Sequence, residues 1–342
     1  MIRRCLFLRL RIMDVYVNNS TDATFNLALE ELVAKEGFSG SDGGSNSIMF
    51  WRNASAVIIG CNQITAAEID ADYIRENNIQ VVRRITGGGA VYHDLGNINF
   101  TICVNDRQLS PEAFSQNAAV IIDALRKFGI AAEFSGRNDI IVNGRKISGS
   151  AKSVFKDRTL FHGTLLFDTD LEVLTSALKS DEKKIQSKGI KSIRSRVANI
   201  REFLPDWDRE KFLDELIKTV CGNAGDVRNI PDKFIARAEE LANTKYRTWE
   251  WNYGTNFTYS YQQSGRFAGG SVKVSFNIRD NRIMDCQFSG DFFGSVPVKQ
   301  LGAALDGLPV RRDRIAEVLQ KADVEQFIQG VTPDELITLF NI

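Results

Sequence analysis

Val81-Val82-Arg83-Arg84-Ile85-Thr86-Gly87-Gly88-Gly89-Ala90-Val91-Tyr92-His93-Asp94 is the stretch on which the fold turns. It opens with β-branched residues, which favour a strand, and then runs into three consecutive glycines. Such a run loses backbone entropy on folding and packs no side chains, so it belongs where the chain turns sharply or presses against a ligand. Arginine before it and histidine after it point to a loop that holds an anion against backbone amides. A β-bulge or tight turn is the plainer alternative. The spacing is neither G-x-G-x-x-G nor G-x-x-x-x-G-K-[ST], so dinucleotide and P-loop readings are not supported. Beyond Gly96, Ile98, Phe100, Ile102 and Val104 alternate with Asn97, Asn99, Thr101 and Cys103, the period of a strand.

Working outward, Phe25, Ala28, Leu29, Leu32 and Val33 fall at helical spacing and Gly37 stops them. Residues 38–47 read as a loop, Ile48–Trp51 and Ala56–Ile59 as short strands, and Glu68–Asn77 as a helix. Ser110-Pro111 predicts a capped helix start, with Phe114, Ala118, Ile121, Ile122 and Leu125 as its core stripe. Asn143-Gly144 between β-rich flanks predicts a hairpin that sets Asp139–Val142 beside Arg145–Ser148. Lys146 then stands on a strand near Asn138 and Asp139; a solvated edge lysine is the plainer reading. His162 lies in an apolar strand, where a histidine is more often part of a satisfied core. Residues 179–201 turn basic, either as a solvated face or as a loop that closes on an anion. Helices follow at 208–221 and 231–243. Thr248–Gly254 closes a large domain, and strands and three further helical patterns make a small C-terminal one.

With 342 residues, 43% hydrophobic and 25% charged, the chain suits one large globular domain plus a small one. Net charge is zero, so neither nucleic acid nor a membrane surface is an expected partner. No apolar run reaches the roughly 20 residues of a membrane span. Five scattered cysteines without C-x-x-C, and two histidines, fit a reducing, cytoplasmic setting and no tightly bound protein metal site. The arginine-rich Met1–Ile12 is expected to precede a true start at Met13, with a short leader as the alternative.

Taken in order, five motifs resemble those of the lipoate–protein ligases. They are Arg84-x-x-Gly-Gly-Gly-Ala-Val-Tyr-His-Asp, Gly136-Arg137-Asn138-Asp139, Arg145-Lys146-Ile147-Ser148-Gly149-Ser150-Ala151, His162-Gly163-Thr164-Leu165-Leu166, and Lys188-Gly189-Ile190-x-Ser192-x-Arg194-Ser195-Arg196-Val197. Trp249-Glu250-Trp251-Asn252 belongs to the same pattern. The resemblance implies an α+β fold: a class II synthetase and biotin ligase-like catalytic domain over residues 13–254, with a mixed sheet and flanking helices, and a small α+β accessory domain over 255–342.

It further implies that lipoate and ATP give lipoyl-adenylate, whose acyl group passes to a lysine of a lipoyl domain. Acceptors would be acyltransferase subunits of 2-oxo-acid dehydrogenases and the glycine cleavage H protein, and the enzyme a monomer. Lys146 would be the catalytic residue, bridging carboxylate and α-phosphate. Arg84, Gly88, Gly89, Ala90, Val91, Tyr92, Asn138 and Asp139 would join it at the nucleotide. Asp139 would also meet the Mg²⁺ that escorts ATP. Trp51, Arg84, Gly88, Val91, His93, Lys146 and His162 would line the lipoate slot. Lys188, Arg194 and Ser195 would belong to an adenylate-binding loop. Cys61 and Ile64 stand where the family often has a basic residue and an asparagine.

Four rival readings remain open at this point. One is an acyltransferase working through a cysteine thioester, for which no cysteine lies between Cys103 and Cys221 and Thr159 stands where one class has its nucleophile. The second is a lipoyltransferase that consumes preformed lipoyl-adenylate, and the third a non-catalytic protein that binds lipoyl domains. The last, biotin ligase, shares the fold but differs in its glycine–arginine signature.

Overall fold

The computed structural model describes residues 13–38, 46–108, 110, 112–136, 138–178, 196–222, 227–253, 261–279 and 281–340. The chain divides into two compact units. The larger contains the residues up to Ile58, Ile69–Val82 and Val91–Trp251. The smaller gathers Ile59–Glu68, Arg83–Ala90 and Asn252–Ile342.

In chain order the elements are β1 (Asp14–Asn18), α1 (Ala23–Glu36), β2 (Ser47–Trp51), β3 (Ala56–Ile59), α2 (Thr65–Glu68), α3 (Ala71–Glu76), β4 (Gln80–Arg83), β5 (Val91–His93), β6 (Asn97–Val104) and α4 (Ala113–Lys127). There follow β7 (Glu133–Ser135), β8 (Asp139–Val142), β9 (Arg145–Phe155), β10 (Arg158–Leu166), α5 (Leu171–Ala177), α6 (Arg209–Cys221), α7 (Asp232–Leu241) and, after a π turn over Ala242–Tyr246, α8 (Trp249–Tyr253). A seven-stranded mixed sheet runs β1-β2-β6-β10-β9-β8-β7, with β1 and β2 parallel and the other pairs antiparallel; β4-β3-β5 form a second, small sheet.

The two faces of the large sheet differ in chemistry. One carries Phe100 and Phe161 and packs on α4, where Phe114 meets Phe161 edge-on at 5.8 Å. The other carries Asn97, Asn99, Thr101 and Cys103 and is covered in part by α1, whose Val33 carbonyl accepts from the Cys103 thiol. Every residue of β6 is buried, so the alternation foreseen there separates an apolar interior face from a polar one. The outer side of α1 takes α7 and the π turn: Glu31 accepts from Tyr246 Oη at 2.6 Å and Lys245 Nζ at 2.7 Å.

Two helix expectations shift. The helix foreseen over Glu68–Asn77 shortens to α3, with Glu68 closing α2 instead, because Ile69 bridges Leu178 and Asp70 caps α3 by accepting from Tyr73 N. The helix foreseen from Ser110-Pro111 begins at Ala113, and the Ser110 carbonyl accepts from Lys152 Nζ at 3.3 Å. Its core stripe is buried as foreseen. Pro111, Arg137, Gly254, the first twelve residues and the basic stretch 179–195 lie outside the described residues.

The smaller unit has an antiparallel sheet of β11 (Tyr261–Phe267), β12 (Gly270–Arg279) and β13 (Arg282–Gly290). Helices α9 (Lys299–Leu305), α10 (Arg312–Lys321), α11 (Val324–Phe327) and α12 (Pro333–Ile337) follow it. Its core is one apolar cluster in which Phe276 stacks between Tyr261 and Phe340.

Candidate active site

The Asn143-Gly144 turn forms as foreseen, with both residues at positive φ (50° and 74°), the condition of a two-residue hairpin that follows strand twist. Pairing then slips: Val142 faces Arg145 and Ile141 faces Lys146, but Ile140 faces Ser148. Ile147 is the extra residue of a β-bulge, and the bulge re-aims what precedes it. Lys146 therefore shares a face with Gly149, where an added Cβ would come within 2.8 Å of its ammonium. Asp139, opposite Gly149, completes an ion pair with Lys146 at 2.8 Å. Both side chains are about one-third exposed (37% and 34%).

Lys146 is not an edge lysine. Its N–H donates to Arg196 O at 2.7 Å and its carbonyl accepts from Ala198 N at 2.9 Å, a parallel bridge through Val197 on the flank opposite β8. The strand beneath the lysine is thus held on both sides. Nearby, Asn138 donates its amide to Ser150 O at 2.6 Å, fixing the entry to β8.

Trp51 and His93 lie together in the same unit, both 4% exposed, with rings edge-on at 6.2 Å. Asn53 Nδ2 meets His93 Nδ1 at 3.0 Å. Tyr92 is buried and its hydroxyl meets Ser55 Oγ at 3.2 Å. A buried chain of hydrogen bonds links Trp51 to His162: Trp51 Nε1 donates to Thr101 Oγ1 (2.9 Å), Thr101 donates to Glu30 Oε1 (2.6 Å), and that oxygen lies 2.8 Å from His162 Nδ1. Sequence reasoning missed Glu30, which is fully buried in the middle of α1. Its only signal was an acid beside the helix's apolar stripe.

The glycine run, in the smaller unit, is organised from below by its arginines. Arg84 is 5% exposed; its guanidinium donates to Thr86 Oγ1, Gly87 O (2.7 Å) and Gly89 O (2.9 Å), so it ties the loop's own carbonyls rather than standing open for phosphate. Arg83, 3% exposed, gathers Gly60 O, Gln63 O and Thr65 Oγ1, while its N–H donates to Asn252 Oδ1. Gly88 has φ 94° and donates its N–H to Phe292 O at 3.2 Å, so the loop rests against Phe292-Phe293. Gly87 and Gly88 are required sterically: an added Cβ would meet Phe292 O at 2.3 Å and the Phe293 ring at 2.9 Å, whereas at Gly89 the nearest atom is 3.9 Å away.

Neither Cys61 nor Cys103 is poised as a nucleophile. Burial pushes the Cys61 thiol up, against the opposing pull of Arg84 and Arg83, and pushes Cys103 up to about 11. Thr159 is fully buried, with its hydroxyl given to Asp106 O. Among the described residues no group of three or more His, Cys, Asp or Glu could hold a metal ion. A single carboxylate such as Asp139 suits an ion that arrives with a nucleotide and keeps most of its water. Among the described residues no helix is long and apolar enough to cross a membrane.

The chain matches two family models: the lipoyl protein ligase A/B catalytic domain over residues 22–221 and the bacterial lipoate protein ligase C-terminus over 256–340. It is 40% identical over 327 residues to lipoate-protein ligase LplJ of Bacillus subtilis, covering 94% of this chain and 97% of that one. Against lipoate–protein ligase 1 of Staphylococcus aureus it is 41% identical over 326 residues, covering 95% and 98%. Among solved structures, P. falciparum LipL1 in complex with lipoate superposes with a TM-score of 0.76 at 27% identity, covering 91% of this chain and 95% of that one. A lipoate-protein ligase A bound with ATP gives 0.62 at 30% identity, covering 71% and 99%. The bi-partite ligase of Thermoplasma acidophilum, described with its E2 lipoyl domain, gives 0.65 at 31%, covering 73% and 99%. By sequence over nearly its whole length, by both family models and by fold, the chain belongs to the lipoate–protein ligase family.

Proposed function

We propose that this protein activates lipoate with ATP and transfers the lipoyl group to a lysine of lipoyl domains. A lipoate carboxylate oxygen attacks the α-phosphorus, the bond to pyrophosphate breaks, and lipoyl-adenylate remains. The acceptor lysine amine then attacks the acyl carbonyl, AMP leaves, and the amine loses a proton as the amide forms. In the first step two anions approach and charge grows on phosphoryl oxygens, so the site needs fixed positive charge there more than a nucleophile.

The observation that carries the reading is Lys146. It stands on a bulged strand held on both flanks, oriented by Asp139, as a compact cation for carboxylate and α-phosphate together. Asp139 and Asn138 orient that lysine, and Asp139 would hold the Mg²⁺ that accompanies ATP and, when bound, offsets phosphate charge. Gly88, Gly89, Ala90, Val91 and Tyr92 supply backbone to the nucleotide, and Arg84 keeps their loop in shape. Trp51, Val91, His93 and His162 form the apolar slot for the lipoyl tail. Lys188, Arg194 and Ser195 complete the adenylate site. Residues 13–254 carry catalysis, 255–342 form the accessory domain, and the setting is cytoplasmic. Acyltransferase subunits of 2-oxo-acid dehydrogenases and the glycine cleavage H protein are the acceptors; a structural relative described with its E2 lipoyl domain supports that class.

ATP–pyrophosphate exchange with lipoate, octanoate or biotin as the acid tests this. Lipoate-dependent exchange is expected. A second reading is favoured by one feature, the engagement of Arg84 and the Gly88 N–H within the smaller unit. It is a transferase that takes preformed lipoyl-adenylate, and it predicts no exchange with any acid while added lipoyl-adenylate still modifies a lipoyl domain.

A further inference from the structure

The polar face of the large sheet carries a row that crosses it at right angles to the strands. Asn18 on β1 pairs with Trp51 on β2, Trp51 with Asn99 on β6, and Asn99 with Thr164 on β10. Thr164 Oγ1 then accepts from the Gly149 N–H at 3.2 Å, and Gly149 pairs with Asp139 beside Lys146. Partners in register present side chains to the same face, so one line runs from Trp51 to the lysine.

Exposure is greatest at the lysine and small beyond Thr164. The Lys146 side chain is 37% exposed, Thr164 is half-buried, Asn99 is 1% and Trp51 4% exposed. The row thus has an open end at the lysine and a closed end at the tryptophan. Asn99 stands two strands in from Gly149, where the Lys146 ammonium lies, and that is about 10 Å at the usual strand spacing, comparable to an extended octanoyl chain.

Asn99 is the unusual member. Its Oδ1 accepts from Asn97 Nδ2 at 2.8 Å, which turns its Nδ2 away from Asn97, and that nitrogen has no hydrogen-bond partner among the described residues. A buried amide donor without a partner is costly, and an apolar side chain of the same size would have avoided the loss.

We propose that Asn99 is the specificity-determining residue of the acyl slot, its side-chain N–H meeting the dithiolane sulfurs of lipoate. This rests on the ligase reading above. A carboxylate set at Lys146 brings the far end of the chain to Asn99, and there lipoate and octanoate differ: one offers polarisable sulfur lone pairs, the other only C–H. A donor built for an acceptor discriminates because the analogue lacking it leaves the donor unpaired.

The test is ATP–pyrophosphate exchange on the full chain with lipoate and octanoate in parallel, for wild type and Asn99→Leu, with Asn99→Thr as the second variant in case leucine does not fold. The expected result is a fall of about tenfold or more in the lipoate-to-octanoate ratio of kcat/KM, carried mainly by the lipoate KM, with octanoate held or improved. Proportional loss with both acids would assign Asn99 to the fold and overturn the inference, as would an unchanged ratio. Absence of exchange in the wild type itself would instead bring down the ligase reading, so the two failures are distinguishable.

Discussion

Tyr246 donates its hydroxyl to the Glu31 carboxylate at 2.6 Å, fastening the π turn to the outer side of α1. Lys245 and Lys35 reach the same group. Burial works to raise the Glu31 carboxyl, but these hydrogen bonds outweigh it and hold it below the ordinary 4.5. A carboxyl lowered in the fold gives stability that is present above the unfolded value and lost as pH falls through the folded one. Glu31→Gln should therefore be less stable than wild type by about 1–3 kcal/mol at neutral pH. The gap should close as pH drops below about 4.5, which denaturant unfolding at several pH values would read. An equal gap at every pH would mean that the charge contributes nothing.

Lys146→Ala removes a partly exposed side chain whose strand is held by backbone bonds, so thermal unfolding should barely move. Loss of a positioned donor to developing phosphoryl charge costs roughly 3–4 kcal/mol, so adenylate formation should fall by two to three orders of magnitude. Near-normal pyrophosphate release from this variant would remove Lys146 from its role.

The three glycines should not be equivalent. Gly87→Ala drives a Cβ to 2.3 Å from a backbone carbonyl, and Gly89→Ala meets nothing closer than 3.9 Å. Forced overpacking costs about 1–3 kcal/mol, so the first should lower the melting temperature by several degrees and the second should leave it unchanged. Equal melting temperatures would show that the loop does not rest on Phe292.

At the hairpin, Gly144 has φ 74° with open space around its Cβ position. Gly144→Val should thus destabilise through backbone strain alone, by about 1–3 kcal/mol. Asn143→Gly, which tolerates the same φ, should cost far less. Unfolding midpoints of the pair check this; parity would argue against strain at the turn.

What could be read from the sequence was what is local. Asn143-Gly144 announces its own turn, and the α4 stripe its own packing face. What could not be read depends on distant partners. Glu30 finds Thr101 and His162 at separations of 71 and 132 residues, and no spacing rule anticipates a buried acid there. Arg84 sits where the motif suggested, yet its bonds run to the loop it belongs to. The lysine was placed on the right strand beside the right aspartate, but its face depends on one surplus residue that period-two counting cannot register.

That surplus residue turns β9 into something like a reading frame. Ile147 counts in the chain but not in the pairing, so Lys146 and Gly149 stand three residues apart yet on one face. Removing Ile147 would restore regular pairing with Lys146 still opposite Ile141, whereas forcing the strand straight with Ile147 kept would turn the lysine to the α4 face. The aim of the lysine is thus set by its partners on β8 and not by its count along β9.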